Sequence, residues 1–294
     1  NRIPFWRNIK VVPYLYILPN MILFLIFMII PIFMSFYYGT VKWNGMGKPK
    51  FIGLANYIYI FQDKVFLRSV GNTFFYLIIQ VPIMLVLAIL LAQLLNNRDL
   101  KLRGFFRTCV FLPCATSLVS YALIFRFLFA QDGFINNALI GLGILDTGYN
   151  FLGHAMSAKF VIIIALVWRW TGYNMVFYLA GLQNIEYSVY EAAKIDGANG
   201  WKTFWKITVP LLMPTIVMTV IMSINGTLQL FDESVNLTQG GPAYSTMTMS
   251  HYIYNNAFGL GVGKFGYASA MSFFIFILVA ILSAISMKVG DNRD

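Results

Sequence analysis

Charged side chains are what this sequence has least of. Aspartate, glutamate, lysine and arginine together make up 11% of its 294 residues, against roughly 25% in an ordinary globular chain. Hydrophobic residues reach 59% and aromatics 17%. So few charges could not keep large apolar patches off a water-facing surface, which excludes a soluble body. Cysteine is nearly missing as well. Cys109 and Cys114 sit in or beside one apolar segment, and His154 and His251 are far away in sequence, so neither a disulfide framework nor a metal site is indicated. The chain holds no G-x-x-x-x-G-K-[ST] phosphate cradle, so it cannot supply a standard P-loop ATPase. The net charge of +10 does not read as a nucleic-acid footprint, because the basic residues are scattered at the ends of apolar runs.

What is present is a series of long apolar runs. A spanning helix needs about 20 mostly apolar residues, and six stretches qualify: 15–37, 71–95, 108–129, 160–182, 210–231 and 267–287. The chain therefore reads as an all-α, polytopic membrane protein with six transmembrane helices. The first run follows Arg2, Arg7 and Lys10 but is too long for a secretory signal and lacks a small-residue cleavage site, so it should stay attached. Lysine and arginine set the orientation. With the N-terminus inside, the inner segments 1–14, 96–107, 183–209 and 288–294 carry twelve basic residues, including Arg98, Lys101, Arg103 and Arg107. The longer outer segments carry seven, five of them between Lys42 and Arg68. Both termini are expected to be cytoplasmic.

Two arginines fall within the runs. Arg126 lies a turn from the outer end of the third and can snorkel to the headgroups. Arg169 sits near the middle of the fourth, where a lipid-facing cation is expensive, and is expected to face a wet pathway or an internal network. Pro31, Pro82, Pro113, Pro214, Gly172 and Gly226 interrupt several runs and often mark helices bending around a cavity.

The segment from Glu186 to Pro210, between the fourth and fifth runs, reads as two short helices with a sharp break. Ser188-x-x-Glu191 fits a capping box, Gly197 a left-handed stop, and Trp201, Phe204 and Trp205 an aromatic stripe. Such a stripe either packs on the protein's own helix ends or fills a groove on a soluble partner.

This loop resembles the EAA motif of binding-protein-dependent ABC importer permeases. The motif stands here as Glu191-Ala192-Ala193, Gly197 and Ile207-x-x-Pro210. Asp196-Gly197-Ala198 and Phe204-x-x-Ile207-Thr208-x-Pro210 resemble the carbohydrate branch, which includes the maltose permeases. A second family-like segment runs from Phe231-Asp232-Glu233 to Gly240-Gly241-Pro242. The resemblance covers most of the chain from about Pro13 onward and implies the type I importer permease fold. Its layout would be a cytoplasmic segment 1–14, a six-helix domain 15–287 with a coupling loop at 183–209, and a cytoplasmic tail 288–294. The resemblance also implies that Glu191, Ala192, Ala193, Asp196 and Gly197 couple the chain to an ATPase, with Gly197 permitting the tight turn. The implied partners are an ABC ATPase dimer, a second homologous permease forming a heterodimer, an extracytoplasmic solute-binding protein, the lipid bilayer and a carbohydrate substrate. ATP and magnesium would be bound by the partner ATPase, with no cofactor, metal or enzymatic site in this chain. The implied location is a bacterial or archaeal cytoplasmic membrane.

Sugars are held by aromatic faces against their CH surfaces and by amides or hydroxyls on their hydroxyl groups. In the fourth run, Trp168, Gly172 and Met175 share a helical stripe, with Arg169 and Tyr173 beside it. In the fifth, Ser223, Gly226 and Thr227 share a face, and Asn225, Gln229 and Asp232 continue next to it. Such residues either pack helices together or line a pathway, and pathway lining is the favoured reading. In the maltose permeases the sugar contacts lie on these same two spans. That resemblance places Trp168, Thr171, Gly172, Asn174, Ser223, Gly226, Thr227 and Leu230 at or near matching positions. Where the family pattern is rich in phenylalanine and asparagine, this chain offers Trp168, Gly226, Thr227 and Leu230, so the substrate or its binding mode is expected to differ. Segments 56–68, 132–146 and 238–264 are expected to receive the solute-binding protein. The function implied is oligosaccharide import by alternating access; glycerophosphate, polyol or monosaccharide import is the alternative. An ion-coupled secondary transporter using Arg169 with Asp232 or Glu233 is a remote alternative, and a membrane-embedded enzyme is more remote still.

Overall fold

The computed structural model describes residues 12–97, 99–259 and 261–291. Arg2, Arg7, Lys10, Arg98 and Arg293, used above to orient the chain, lie outside the described residues. Helix α1 (Val12–Gly39) contains a π turn at Leu25–Ile29. A two-residue hairpin follows, β1 (Val41–Lys42) antiparallel to β2 (Lys50–Phe51), with Val41 opposite Phe51. Next come α2 (Ala55–Ile60), α3 (Lys64–Asn96), α4 (Arg103–Ala115), α5 (Leu118–Leu128), α6 (Phe134–Gly141) and α7 (Ala155–Gln183). Helices α8 (Tyr187–Ile195) and α9 (Gly200–Leu211) lead into α10 (Met213–Leu228). The series closes with α11 (Asp232–Asn236), α12 (Met249–Phe258) and α13 (Phe265–Asp291).

Among the described residues, α1, α3, α7 and Phe265–Lys288 of α13 are each long and apolar enough to cross a bilayer. The other two expected spans are not continuous. Helices α4 and α5 meet at 98°, and α9 and α10 meet at 68°; counting each bent pair as one span gives six. At 1.5 Å per residue, α4 and α5 reach only about 20 Å and 16 Å, too short for either alone to cross a hydrocarbon core of about 30 Å. The first break follows Pro113, where Thr116 and Ser117 leave helical backbone at ψ 156° and 137°. The second falls between Pro210 and Pro214, since Pro214 has no N–H to give the carbonyl four residues back. Proline also accounts for the π turns. Leu25–Ile29 and Phe204–Thr208 each end two residues before one, Pro31 and Pro210.

The chain forms two compact units, one from the chain up to Asp63 with Ile253–Phe276, the other from Lys64–Tyr252 with Ile277 onward. In the first, Ser35 donates to the Ser269 carbonyl at 3.1 Å, and the Phe36 and Phe273 rings lie 5.1 Å apart. Tyr267 donates to Asp63 at 2.8 Å.

The second unit is centred on α3 and α7. Ala88 and Ala92, four residues apart and fully buried, let the two backbones approach, and Met175, Tyr178, Leu179 and Leu182 belong to the same core cluster. A second cluster gathers Tyr76, Tyr121, Phe125, Ile162 and Leu166. The segment after α11 is anchored to α3 by Asn72, whose amide donates to the Tyr244 and Met247 carbonyls, both at 2.9 Å. Of the segments expected to be outer loops, 132–146 contains α6 and 238–264 contains α12. The glycine turns sit at the ends of the latter, with Gly240 at φ +76° and Gly261 at φ +118°.

Candidate functional site

The break between α4 and α5 strands carbonyls that a continuous helix would have used. Arg169, on α7 and only 4% exposed, takes them. One terminal nitrogen donates to the Pro113 carbonyl at 3.2 Å and Thr116 Oγ1 at 3.1 Å. The other donates to the Cys114 and Thr116 carbonyls at 3.2 and 2.8 Å. The guanidinium also lies over the Tyr121 ring, 4.6 Å from its centroid. Of the two roles open to Arg169, the structure shows the network: it is the cap of a broken helix.

Tyr121, on α5, donates its hydroxyl to Glu233 on α11. Burial raises the Glu233 carboxyl above the ordinary carboxylate range, while that hydrogen bond and the charge of Arg169 pull the other way. Arg169, Tyr121 and Glu233 thus tie α7, the bent α4–α5 pair and the segment after α10 into one polar chain.

Beside this chain lies a cavity of about 320 Å³, at the small end of the range usual for ligand sites, about 300–1,000 Å³. Of the residues expected along a substrate pathway, Tyr173, Asn174, Ser223, Gly226, Thr227 and Gln229 line it. A Cβ built at Gly226 meets nothing within 4 Å, so that wall is open space. The remaining expected residues lie elsewhere. Trp168 packs on Tyr121 and Phe125, with ring centroids 6.4 and 5.4 Å away. Thr171 is buried, its hydroxyl without a partner. Asn225 accepts from Ser283 at 3.2 Å, so it joins helices.

Gly172 is a packing residue: a Cβ there would fall 1.9 Å from the Val110 carbonyl oxygen. The shared stripe drawn from helical spacing was geometrically sound, but α4 occupies the space in front of it. Gly172→Ala should therefore destabilise the protein by about 3 kcal/mol, read as a lowered midpoint of thermal unfolding. An unchanged midpoint would contradict this packing.

The cavity also has walls that sequence reasoning left out: Gln80 and Met84 from α3, Trp170 from α7, and Glu233 beside Asp232. Gln80 is 2% exposed, and its carbonyl oxygen accepts from Thr227 at 3.2 Å. Its amide nitrogen, and that of Asn174, turn to the Met84 thioether at 3.1 and 3.6 Å. A thioether is a weak acceptor, so the Gln80 amide keeps unused donor capacity, whereas Asn174 also donates to the Trp170 carbonyl at 3.0 Å. A glutamine two residues before Pro82 in an apolar run was the available signal for Gln80.

At the α8–α9 loop the chain folds differently in detail from the expected capping box. The N-cap of α8 is Glu186, with no side-chain cap, and Ser188 donates to the Glu186 carboxylate at 3.3 Å. The C-terminal stop is as expected: Gly197 has φ +74°, Ala198 N–H donates to the Ala193 carbonyl at 2.9 Å and Gly197 N–H to Lys194 at 3.2 Å. These bonds make a Schellman motif. The cap of α9 is Asn199, accepting from Lys202 N–H at 2.9 Å. Glu191, Ala192, Asp196 and Gly197 are exposed, whereas Ala193 is buried and presents no surface to a partner. Trp201 and Trp205 are 70% and 51% exposed, and Ile195 is 85% exposed.

Membrane-length helices, two broken spans and an exposed helix–turn–helix loop define a multi-pass membrane component. Residues 52–293 match the family model for the binding-protein-dependent transport system inner membrane component, and the chain belongs to that family. Among its relatives, the lactose transport system permease protein LacF of Rhizobium radiobacter is 45% identical over 282 residues, covering 95% of this chain and 94% of that protein. The arabinooligosaccharides transport system permease protein AraP of Bacillus subtilis is 33% identical, covering 98% and 92%. A chain of a crystallised bacterial ABC transporter involved in importing the acidic polysaccharide alginate superposes with a TM-score of 0.83 at 26% identity, covering 98% of each chain. The protein is therefore a permease component of an ABC importer.

Proposed function

We propose that this chain imports an oligosaccharide by alternating access, as one of two homologous permeases driven by a separate pair of ATPase subunits. Sugar-transport permeases among its relatives support the substrate class. In this reading both termini and the α8–α9 loop face the cytoplasm of a bacterial or archaeal cell, and the ATPase holds ATP and magnesium. Glu191, Ala192, Asp196 and Gly197 seat the loop in the ATPase, with Trp201 and Trp205 completing the contact. A solute-binding protein delivers sugar at the opposite face.

The observation that carries the reading is the cavity itself: an aromatic and aliphatic lining with amides and hydroxyls placed for sugar hydroxyls. Trp170 and Tyr173 offer ring surface, while Gln80, Asn174, Ser223, Thr227 and Gln229 offer hydrogen bonds. In this reading the chain binds and orients the sugar and couples its passage to the ATPase, without a covalent step.

Cells lacking this chain should lose uptake of a neutral oligosaccharide and regain it when the chain is restored. Gln80→Leu should restore uptake with the apparent KM raised about tenfold, the effect of losing about 1.4 kcal/mol of hydrogen bonding. Full uptake without the chain would overturn the proposal, and an unchanged KM would remove Gln80 from it.

A further inference from the structure

We infer that the cavity selects uncharged saccharides and excludes acidic ones, with Asp232 as the residue that sets this preference; the inference rests on the import reading above. Among the described residues, the cavity wall carries two carboxylates, Asp232 and Glu233, and no lysine, arginine or histidine. Arg169 is not itself a lining residue: it is buried and bonded to the carbonyls of the α4–α5 break, with its guanidinium 5.4 Å from the ring centroid of Trp170 in the wall. It offsets part of the charge of Glu233, whose carboxylate already accepts from Tyr121. Asp232 is the half-buried member of the pair.

The donors across the cavity point the same way. Gln80, 2% exposed, directs its amide at the Met84 thioether; Asn174, 4% exposed, does so at 3.6 Å while also donating to the Trp170 carbonyl at 3.0 Å. Neutral sugar hydroxyls would use this arrangement fully. They accept from the two amides on one side and donate to Asp232 on the other, since an ionised carboxylate can only accept. A uronate keeps hydroxyls of its own, but its carboxylate has no proton to give Asp232. That carboxylate would bring a second negative charge beside Asp232, at a protein wall where like charges repel more strongly than in bulk water. Specificity of this kind comes from what the wall repels as much as from what it holds.

The test uses the intact importer in lipid nanodiscs, free of nucleotide and of the solute-binding protein, so that only the permease cavity discriminates. Lactose and digalacturonate are titrated by saturation-transfer NMR. Lactose should bind at least tenfold more tightly than digalacturonate. Asp232→Asn, which keeps the shape and removes the charge, should shrink that gap at least fivefold, chiefly by tightening digalacturonate binding. Equal binding of the two sugars by the parent, or a gap unchanged in Asp232→Asn, would overturn the inference, as would failure of lactose to bind. Failure of the import reading looks different, because cells would then take up no saccharide through this system.

Discussion

Replacing Arg169 with methionine is expected to abolish uptake and to lower the amount of folded protein in the membrane. The side chain donates four hydrogen bonds to the α4–α5 break, three of them to backbone carbonyls. In hydrocarbon no water replaces them, so each orphaned carbonyl is costly. Losing a buried charged donor of this kind typically destabilises by about 3–5 kcal/mol. Arg169→Lys is the more discriminating variant. An ammonium keeps the charge but not the planar fork that reaches Pro113, Cys114 and Thr116 together. It should leave protein in the membrane with uptake reduced at least tenfold and a lower midpoint of thermal unfolding. Parent-like uptake by the lysine variant would show that charge alone suffices and that the cap geometry is irrelevant.

Gly197→Asp should be as damaging to transport, for a different reason. At φ +74° a side chain costs about 1–2 kcal/mol, and the new carboxylate stands at the negative end of α8. Yet a Cβ built there meets nothing within 4 Å, so the bundle itself has no clash to absorb. The variant should therefore reach the membrane at the parent's level and fail to couple nucleotide hydrolysis to uptake. Gly197→Asn, whose side chain tolerates the left-handed region, should retain partial transport. Low membrane levels of Gly197→Asp would move the role of this glycine from docking to folding; normal coupling would remove the role altogether.

The six apolar runs were legible because length and hydrophobicity alone determine them. Pro113 and Pro214 mark where two of them bend, but not how sharply, because the breaks at Thr116–Ser117 and Leu212 occupy only one or two residues. Arg169 announced itself as an anomaly, but its partners are main-chain carbonyls, which side-chain patterns do not encode. Gly172 and Trp168 were placed correctly on their helix and wrongly in space, since helical spacing gives a face without saying what covers it. The spacing within the fourth and fifth runs does not point to Gln80, and it offers Glu233 only as part of an ion-coupled site, because the cavity draws further walls from α3 and α11. The loop at Gly197 was the most readable part: a glycine after a short amphipathic helix is a local signal, complete within a few residues.

The most direct measurement is uptake of labelled disaccharide into proteoliposomes containing the two permeases, with and without the ATPase subunits, with solute-binding protein outside and ATP within. Uptake should require the ATPase and ATP and be indifferent to an imposed ion gradient. Accumulation driven by an ion gradient in vesicles holding this chain without the ATPase would contradict the account.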